Sequence, residues 1–134
     1  MNINQITINL IVIRVKDLET SKKFYETLGI NFVYEQHGKG EKHLSAVLEE
    51  IVFEIYPSSN NVDTSQLRLG FRVSSVDKVI EKLQAIETDI ISPPKDSQWG
   101  RRAVILDPDG YKIELITKFM TMKAHGFNRG MKLE

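Results

Sequence analysis

Short apolar runs alternate with polar breaks along this chain, and their order repeats. In "LIVIRV", residues 10–15, every residue but Arg14 is apolar. The run predicts a strand with Ile11, Ile13 and Val15 on one side and Leu10, Val12 and Arg14 on the other, because successive side chains point to opposite faces. The period then changes. Leu18, Tyr25 and Leu28, with Phe24 beside them, mark the apolar face of a helix. Asp17 suits its N-cap and Gly29 its stop. Three extended pieces follow, "NFVYEQH", "KHLSAVLE" and "IVFEIYP", with a "GKG" turn at 38–40 between the first two.

The stretch "RLGFRVSSVDKVIEKLQAIE", residues 68–87, replays this opening at a shift of 58 positions. Arg14 falls on Arg72, Val15 on Val73, Ile13 on Phe71, and Asp17 on Ser75, another capping residue. Val76, Val79, Ile80, Leu83 and Ile86 recur at helical spacing. A short extended piece around Ile90 and Ile91, ended by Pro93 and Pro94, comes next, then "RRAVILD" and "YKIELIT". The last two are joined by "DPDG" at 107–110, a strong type I turn signal. Glu54 falls on Glu114 at a shift of 60. Agreement in order and hydrophobic role predicts a β-α-β-β-β unit used twice within one domain. Unit one covers about 5–57, a polar linker 58–66, unit two about 67–118, and a tail 119–134.

Composition narrows the classes. A chain of 134 residues is enough for one compact domain with a core. Lys plus Arg equals Asp plus Glu at 18 each, which argues against a dedicated nucleic-acid binder. No apolar run approaches the ~20 residues that span a bilayer. The start lacks the features of a secretory signal. There is no cysteine, so disulfide and thiol chemistry are excluded. The expectation is a cytoplasmic protein with neither nucleic acid nor membrane as partner.

Two carboxylates break the apolar pattern: Glu54 in "VFEIY" and Glu114 in "YKIELI". Period-two alternation groups Val52, Glu54 and Tyr56 on one face, and Lys112, Glu114 and Ile116 on another. It likewise groups Arg68, Gly70 and Arg72. An unpaired buried carboxylate costs several kcal/mol or takes up a proton. Each glutamate therefore calls for a counter-charge.

"IRVKDLETSKKFYETLG", "WGRRAVILDPDG" and "YKIELI" resemble the vicinal oxygen chelate superfamily, which includes glyoxalases, bleomycin-resistance proteins, fosfomycin-resistance enzymes and extradiol dioxygenases. The resemblance covers roughly residues 5–118. It implies an α+β fold in which the two tandem β-α-β-β-β units form a curled mixed sheet, a cup, with the helices outside. It places the metal ligands of metal-dependent relatives at Leu10, Glu54, Arg68 and Glu114. Leucine has no donor atom and a guanidinium is itself a cation. No metal ligands and no cofactor are therefore expected. Instead Arg68 is expected to replace the metal as counter-charge, reaching Glu114 beside it and Glu54 opposite.

A surplus of arginines suits carboxylate or phosphate recognition. Arg14, Arg68 and Arg72, with Lys112, are candidate ligand-binding residues, together with Tyr56 and Trp99. Arg14 matches the glyoxalase position that contacts a carboxylate of the glutathione part of the substrate. Trp99, in "DSQWGRR", suits either a lid over the cup or plain loop packing. His37 and His43 flank "GKGEK"; they are placed to meet across the turn and share a metal, although solvated turn histidines are commoner. The tail "KFMTMKAHGFNRGMKLE" lies outside the resemblance and suits a contact with a partner subunit or a loose end.

The reading is a small-molecule-binding protein, its ligand anionic or amphipathic, assembled as a homodimer. The alternative is a glyoxalase-like lyase or isomerase with Glu54 or Glu114 as catalytic general base.

Overall fold

The computed structural model describes residues 5–117. Two compact units divide the chain, Met1–Val62 and Asp63–Glu134. Unit one runs β1 (Leu10–Val15), α1 (Leu18–Thr27), β2 (Val33–Glu35), β3 (His43–Leu48) and β4 (Ile51–Pro57). Unit two runs β5 (Arg68–Val73), α2 (Val76–Ala85), β6 (Ile90–Ser97), β7 (Gly100–Leu106) and β8 (Lys112–Thr117), after a short 3₁₀ turn at Thr64–Gln66. Each unit carries one four-stranded mixed sheet, in the order β1-β4-β3-β2 and β5-β8-β7-β6. The first and last strands are parallel and the other pairs antiparallel. The fold is therefore the α+β duplication expected from the repeat.

Equivalent residues begin and end the helices. Asp17 Oδ1 accepts from the Thr20 amide at 3.2 Å, and Ser75 Oγ from the Lys78 amide at 3.2 Å. At the other end, the amides of Gly29 and Ile30 donate to the carbonyls of Glu26 and Tyr25. The amides of Glu87 and Thr88 do the same to Gln84 and Leu83. This is a Schellman motif in both units. Its left-handed residue is a glycine in unit one (φ 110°) but a glutamate in unit two (φ 59°).

Alternation along the strands sorts core from open face. Ile13 and Val15 are buried while Leu10, Val12 and Arg14 are exposed; Phe53 and Ile55 are buried; Ile113 and Leu115 are buried beside a half-buried Glu114. In unit one Tyr25 anchors the core, its ring edge-on to Phe24 at 4.9 Å and to Phe53 at 5.4 Å. In unit two Val76, Ile80 and Leu83 of α2 are buried, as are Ile105, Ile113 and Leu115 of the sheet on which α2 packs. Each such side chain stabilises by roughly 1.5–3 kcal/mol through the apolar area it removes from water.

One boundary differs from expectation. The prolines do not end the sixth strand, because β6 runs through Pro93 and Pro94 to Ser97. It is the edge strand of its sheet, and its pairing with β7 slips between Ser92 and Lys95. An edge strand at a bulge tolerates residues that cannot donate to the ladder. Arg101 of β7 ties this edge to α2: it donates to Asp77 at 2.6 Å and to Asp96 at 3.0 Å.

Candidate functional site

Register and alternation together lay the open face of each sheet out as rows. In unit one, Leu10, Val52 and Val47 share the first row, and Val12, Glu54 and Ser45 the second. The third holds Arg14, Tyr56, His43 and Glu35; Arg14 pairs in register with Tyr56, and His43 with Glu35. One end of the face is thus apolar and partly exposed, with Leu10 at 49%, Val12 at 43% and Val47 at 69%. The other end is polar.

The polar row is stacked. The His43 ring lies on Tyr56, centroids 4.1 Å apart and planes 12° off parallel. The Arg14 guanidinium sits over Tyr56 at 5.1 Å, a cation–π contact. Arg14 Nη1 also donates to Glu41 at 2.8 Å and to the Pro57 carbonyl at 3.0 Å. Desolvation pushes the Tyr56 phenol up from its usual value; the Glu54 charge adds to this and Arg14 opposes it. His43 is buried, and its Nε2 lies 3.5 Å from Glu54 Oε2, 3.4 Å from Glu35 Oε1 and 3.5 Å from Tyr56 Oη. Glu54 therefore finds its partner in His43, one strand over and on the diagonal. His43 is not a solvated turn residue; its strand begins early enough to take it into the sheet. His37, on the loop, is exposed.

In unit two the rows are Arg68, Lys112 and Leu106; then Gly70, Glu114 and Val104; then Arg72, Ile116, Arg102 and Lys95. Arg102 donates to Glu114 Oε2 from Nη2 at 2.9 Å and from Nε at 3.2 Å. The expected counter-charge was Arg68. The structure gives that place to Arg102, because Arg68 stands beside Lys112, a full row from Glu114. Arg68, Arg72 and Lys112 are exposed on this face, and Trp99 is half-buried in the β6–β7 turn, its amide donating to Ser97 Oγ at 3.2 Å.

The structure thus brings Arg14, Glu54 and Tyr56 together, and adds Glu35, Glu41 and His43. It sets Glu114 with Arg102. At two of the positions where the resemblance implies the family's metal ligands, Leu10 has no donor atom and Arg68 is a cation. The tail from residue 118 on lies outside the described residues.

Comparison with known proteins fits this architecture. The chain belongs to the Glyoxalase/Bleomycin resistance protein/Dioxygenase superfamily, whose family model matches residues 7–115. It is 31% identical over 121 residues to the Arabidopsis thaliana protein "Probable lactoylglutathione lyase, chloroplastic", covering 81% of this chain and 35% of that one. The chain spans about a third of the length of that relative. Among solved structures it resembles TnmS3, an antibiotic binding protein from a Streptomyces species, at 27% identity and TM-score 0.70, covering 88% of this chain and all of that one. It also shares its fold with the fosfomycin resistance protein FosX from Mesorhizobium loti, at 20% identity and TM-score 0.64, covering 92% of this chain and 99% of the other. Among the described residues no helix is long and apolar enough to cross a membrane.

Proposed function

We propose that this protein binds a small amphipathic organic anion without using the family's metal positions. The observation that carries the reading is the open face of unit one. Its exposed apolar end, Leu10, Val12 and Val47, continues into a stacked polar end headed by the Arg14 guanidinium. An apolar body would lie on the first end and an anionic group would meet the second, where the planar donors of arginine match a carboxylate or phosphate. The resemblance to an antibiotic binding protein supports a small organic molecule as the ligand. The open face of unit two, taken by itself, carries exposed Arg68, Arg72 and Lys112. We further propose that two chains pair, using exposed Ile6, Ile8 and the β1 edge. Sedimentation equilibrium showing only monomer at about micromolar concentration would reject that part.

Native mass spectrometry of the purified protein, followed by calorimetric titration with the ligands it releases, tests the main reading. Arg14→Leu should weaken binding at least ~10-fold, the loss expected for one charge-assisted contact. Binding unaffected by Arg14→Leu would overturn it. A second reading, a glyoxalase-like lyase with Glu54 as base, is favoured by the lactoylglutathione lyase relative and by the imidazole 3.5 Å from Glu54. Turnover of a glutathione hemithioacetal, lost in Glu54→Gln, would establish it instead.

A further inference from the structure

Glu35, His37 and His43 bring one carboxylate oxygen and two imidazole nitrogens within 4.8 Å of one another. We infer that these three side chains form a binding site for one divalent transition-metal ion, zinc foremost, at the base of the β2–β3 hairpin. The site shares no ligand with the positions at which the family places its metal.

The sequence builds it locally. Glu35 and His43 are directly opposite in the antiparallel ladder, so their side chains rise from the same face. His37 lies two residues beyond Glu35, at the mouth of the loop. The loop folds back by a bond from the Gly40 amide to the His37 carbonyl at 2.9 Å, and by one from Gln36 Nε2 to the Gly40 carbonyl at 2.9 Å. Gly38 takes a left-handed conformation, φ 59°, and a Cβ on Gly40 would come within 3.0 Å of the His37 oxygen. Both glycines therefore hold His37 where it is.

The donor chemistry points the same way. His43 Nδ1 lies 3.0 Å from the Glu41 carbonyl, which can only accept, so that nitrogen carries a proton. Nε2 then faces the carboxylates of Glu35 and Glu54 at 3.4 and 3.5 Å. The Tyr56 hydroxyl, 3.5 Å away, can donate to this nitrogen, while the two carboxylates beside it attract a cation. His37 Nε2 also converges on Glu35 Oε1, at 3.5 Å, so one cation set among them would meet both rings. Ligands held at ~2.0–2.1 Å by a tetrahedral ion lie roughly 3.3 Å apart, close to the spacings found. A buried ligand histidine fixed by a backbone carbonyl on its other nitrogen is the usual support for such a centre. Nitrogen and oxygen donors in this ratio suit Zn²⁺, Ni²⁺ or Fe²⁺ rather than Mg²⁺ or Ca²⁺. Three protein ligands leave a coordination position open.

The test is titration of chelator-stripped full-length protein with Co²⁺, read by its visible absorption, followed by displacement with Zn²⁺. One ion per chain is expected, with dissociation below ~10 μM for a three-ligand site. His37→Ala, at an exposed position that spares the fold, should weaken binding at least ~10-fold, as should Glu35→Gln. His125→Ala and Glu114→Gln should leave it unchanged. The thermal midpoint of the wild type should rise with Zn²⁺ concentration and that of His37→Ala should not. Three results would each overturn the site: no saturable binding up to ~100 μM, binding indifferent to His37→Ala, or binding abolished by Glu114→Gln alone. None bears on the organic ligand, whose binding is followed through Arg14.

Discussion

Glu54 and Glu114 occupy the same place in their units. Each faces the first strand on one side, at Val12 or Gly70, and the third strand on the other, at Ser45 or Val104. The group set diagonally on the third strand differs: His43 in unit one and Arg102 in unit two. A guanidinium is always charged and donates in a fixed fork, so Glu114 is neutralised permanently. An imidazole is also a metal ligand, so the surroundings of Glu54 carry chemistry that those of Glu114 lack. Unit two thus holds a fixed ion pair, and unit one a cluster of carboxylates and imidazole. The polar rows follow suit. Unit one's holds Arg14, Tyr56, His43 and Glu35, while unit two's holds Arg72, Ile116, Arg102 and Lys95.

The comparison breaks most sharply at Arg102. Removing one partner of a fully buried pair costs ~3–5 kcal/mol. Glu114 and Arg102 side chains are 16% and 31% exposed, so screening lowers the expected loss for Arg102→Leu to about 2 kcal/mol. Arg68→Leu should stay within ~0.5 kcal/mol, as at other exposed positions. A urea-unfolding cycle of Arg102→Leu with Glu114→Gln should show coupling of about 1 kcal/mol. Strict additivity, or a larger loss at Arg68, would return the role to Arg68.

The helix ends offer the next contrast. Gly29→Ala forces a side chain into a left-handed conformation and should cost ~1–2 kcal/mol. Glu87 already bears that strain, so Glu87→Gly should relieve it, less the entropy of glycine, for a net gain of roughly 0.5 kcal/mol. Equal and opposite shifts of the urea midpoint would equate the two caps. Loss of stability in Glu87→Gly would mean that its side chain has a role of its own.

The smallest effect concerns acid. Hydrogen bonds from Arg101 hold the Asp77 carboxyl below its ordinary 3.8. Its folded value is lower than its unfolded one. The stabilisation is therefore present above about pH 4 and is lost as pH falls through the folded value. Arg101→Gln should flatten the acid limb of the stability profile, and added salt should do the same, because the pair is exposed. An unchanged acid limb would exclude this pair as a source. In unit one, among the described ion pairs, the helix has Lys22 with Glu26 at 3.2 Å, a pair within α1 itself, and none that ties α1 to its sheet as Arg101 ties α2.

Much of this was legible in the residues. Alternation alone placed Glu54, Tyr56, Glu114 and Arg72 on their faces, and the capping roles of Asp17 and Ser75 followed from residue type. Cross-strand partners need register as well. For β7 and β8 the signal was present. Asp107 Oδ1 accepts from the amides of Asp109 and Tyr111 at 2.9 Å, closing the "DPDG" turn, and counting outward equally from it sets Arg102 diagonal to Glu114. For β3 and β4 it was hidden. Their tight turn is Glu49 and Glu50, with Glu49 at φ 55°. Neither residue favours a left-handed turn, so nothing announced the hairpin that brings His43 into line with Tyr56. Arg68 was expected at Glu114 because family position was weighed without register.

Pro93 and Pro94 carry a consequence for how the chain folds. A duplicated unit inherits two interchangeable outer borders, and either copy's border invites the other's strands while the chain is still folding. Here the two borders differ: β2 is short, Val33–Glu35, while β6 is long, Ile90–Ser97, and holds two residues that offer no amide proton. A wandering strand finds too few bonds on one and interrupted bonds on the other. The prolines thus act as a mark of identity, telling each copy which neighbours are its own.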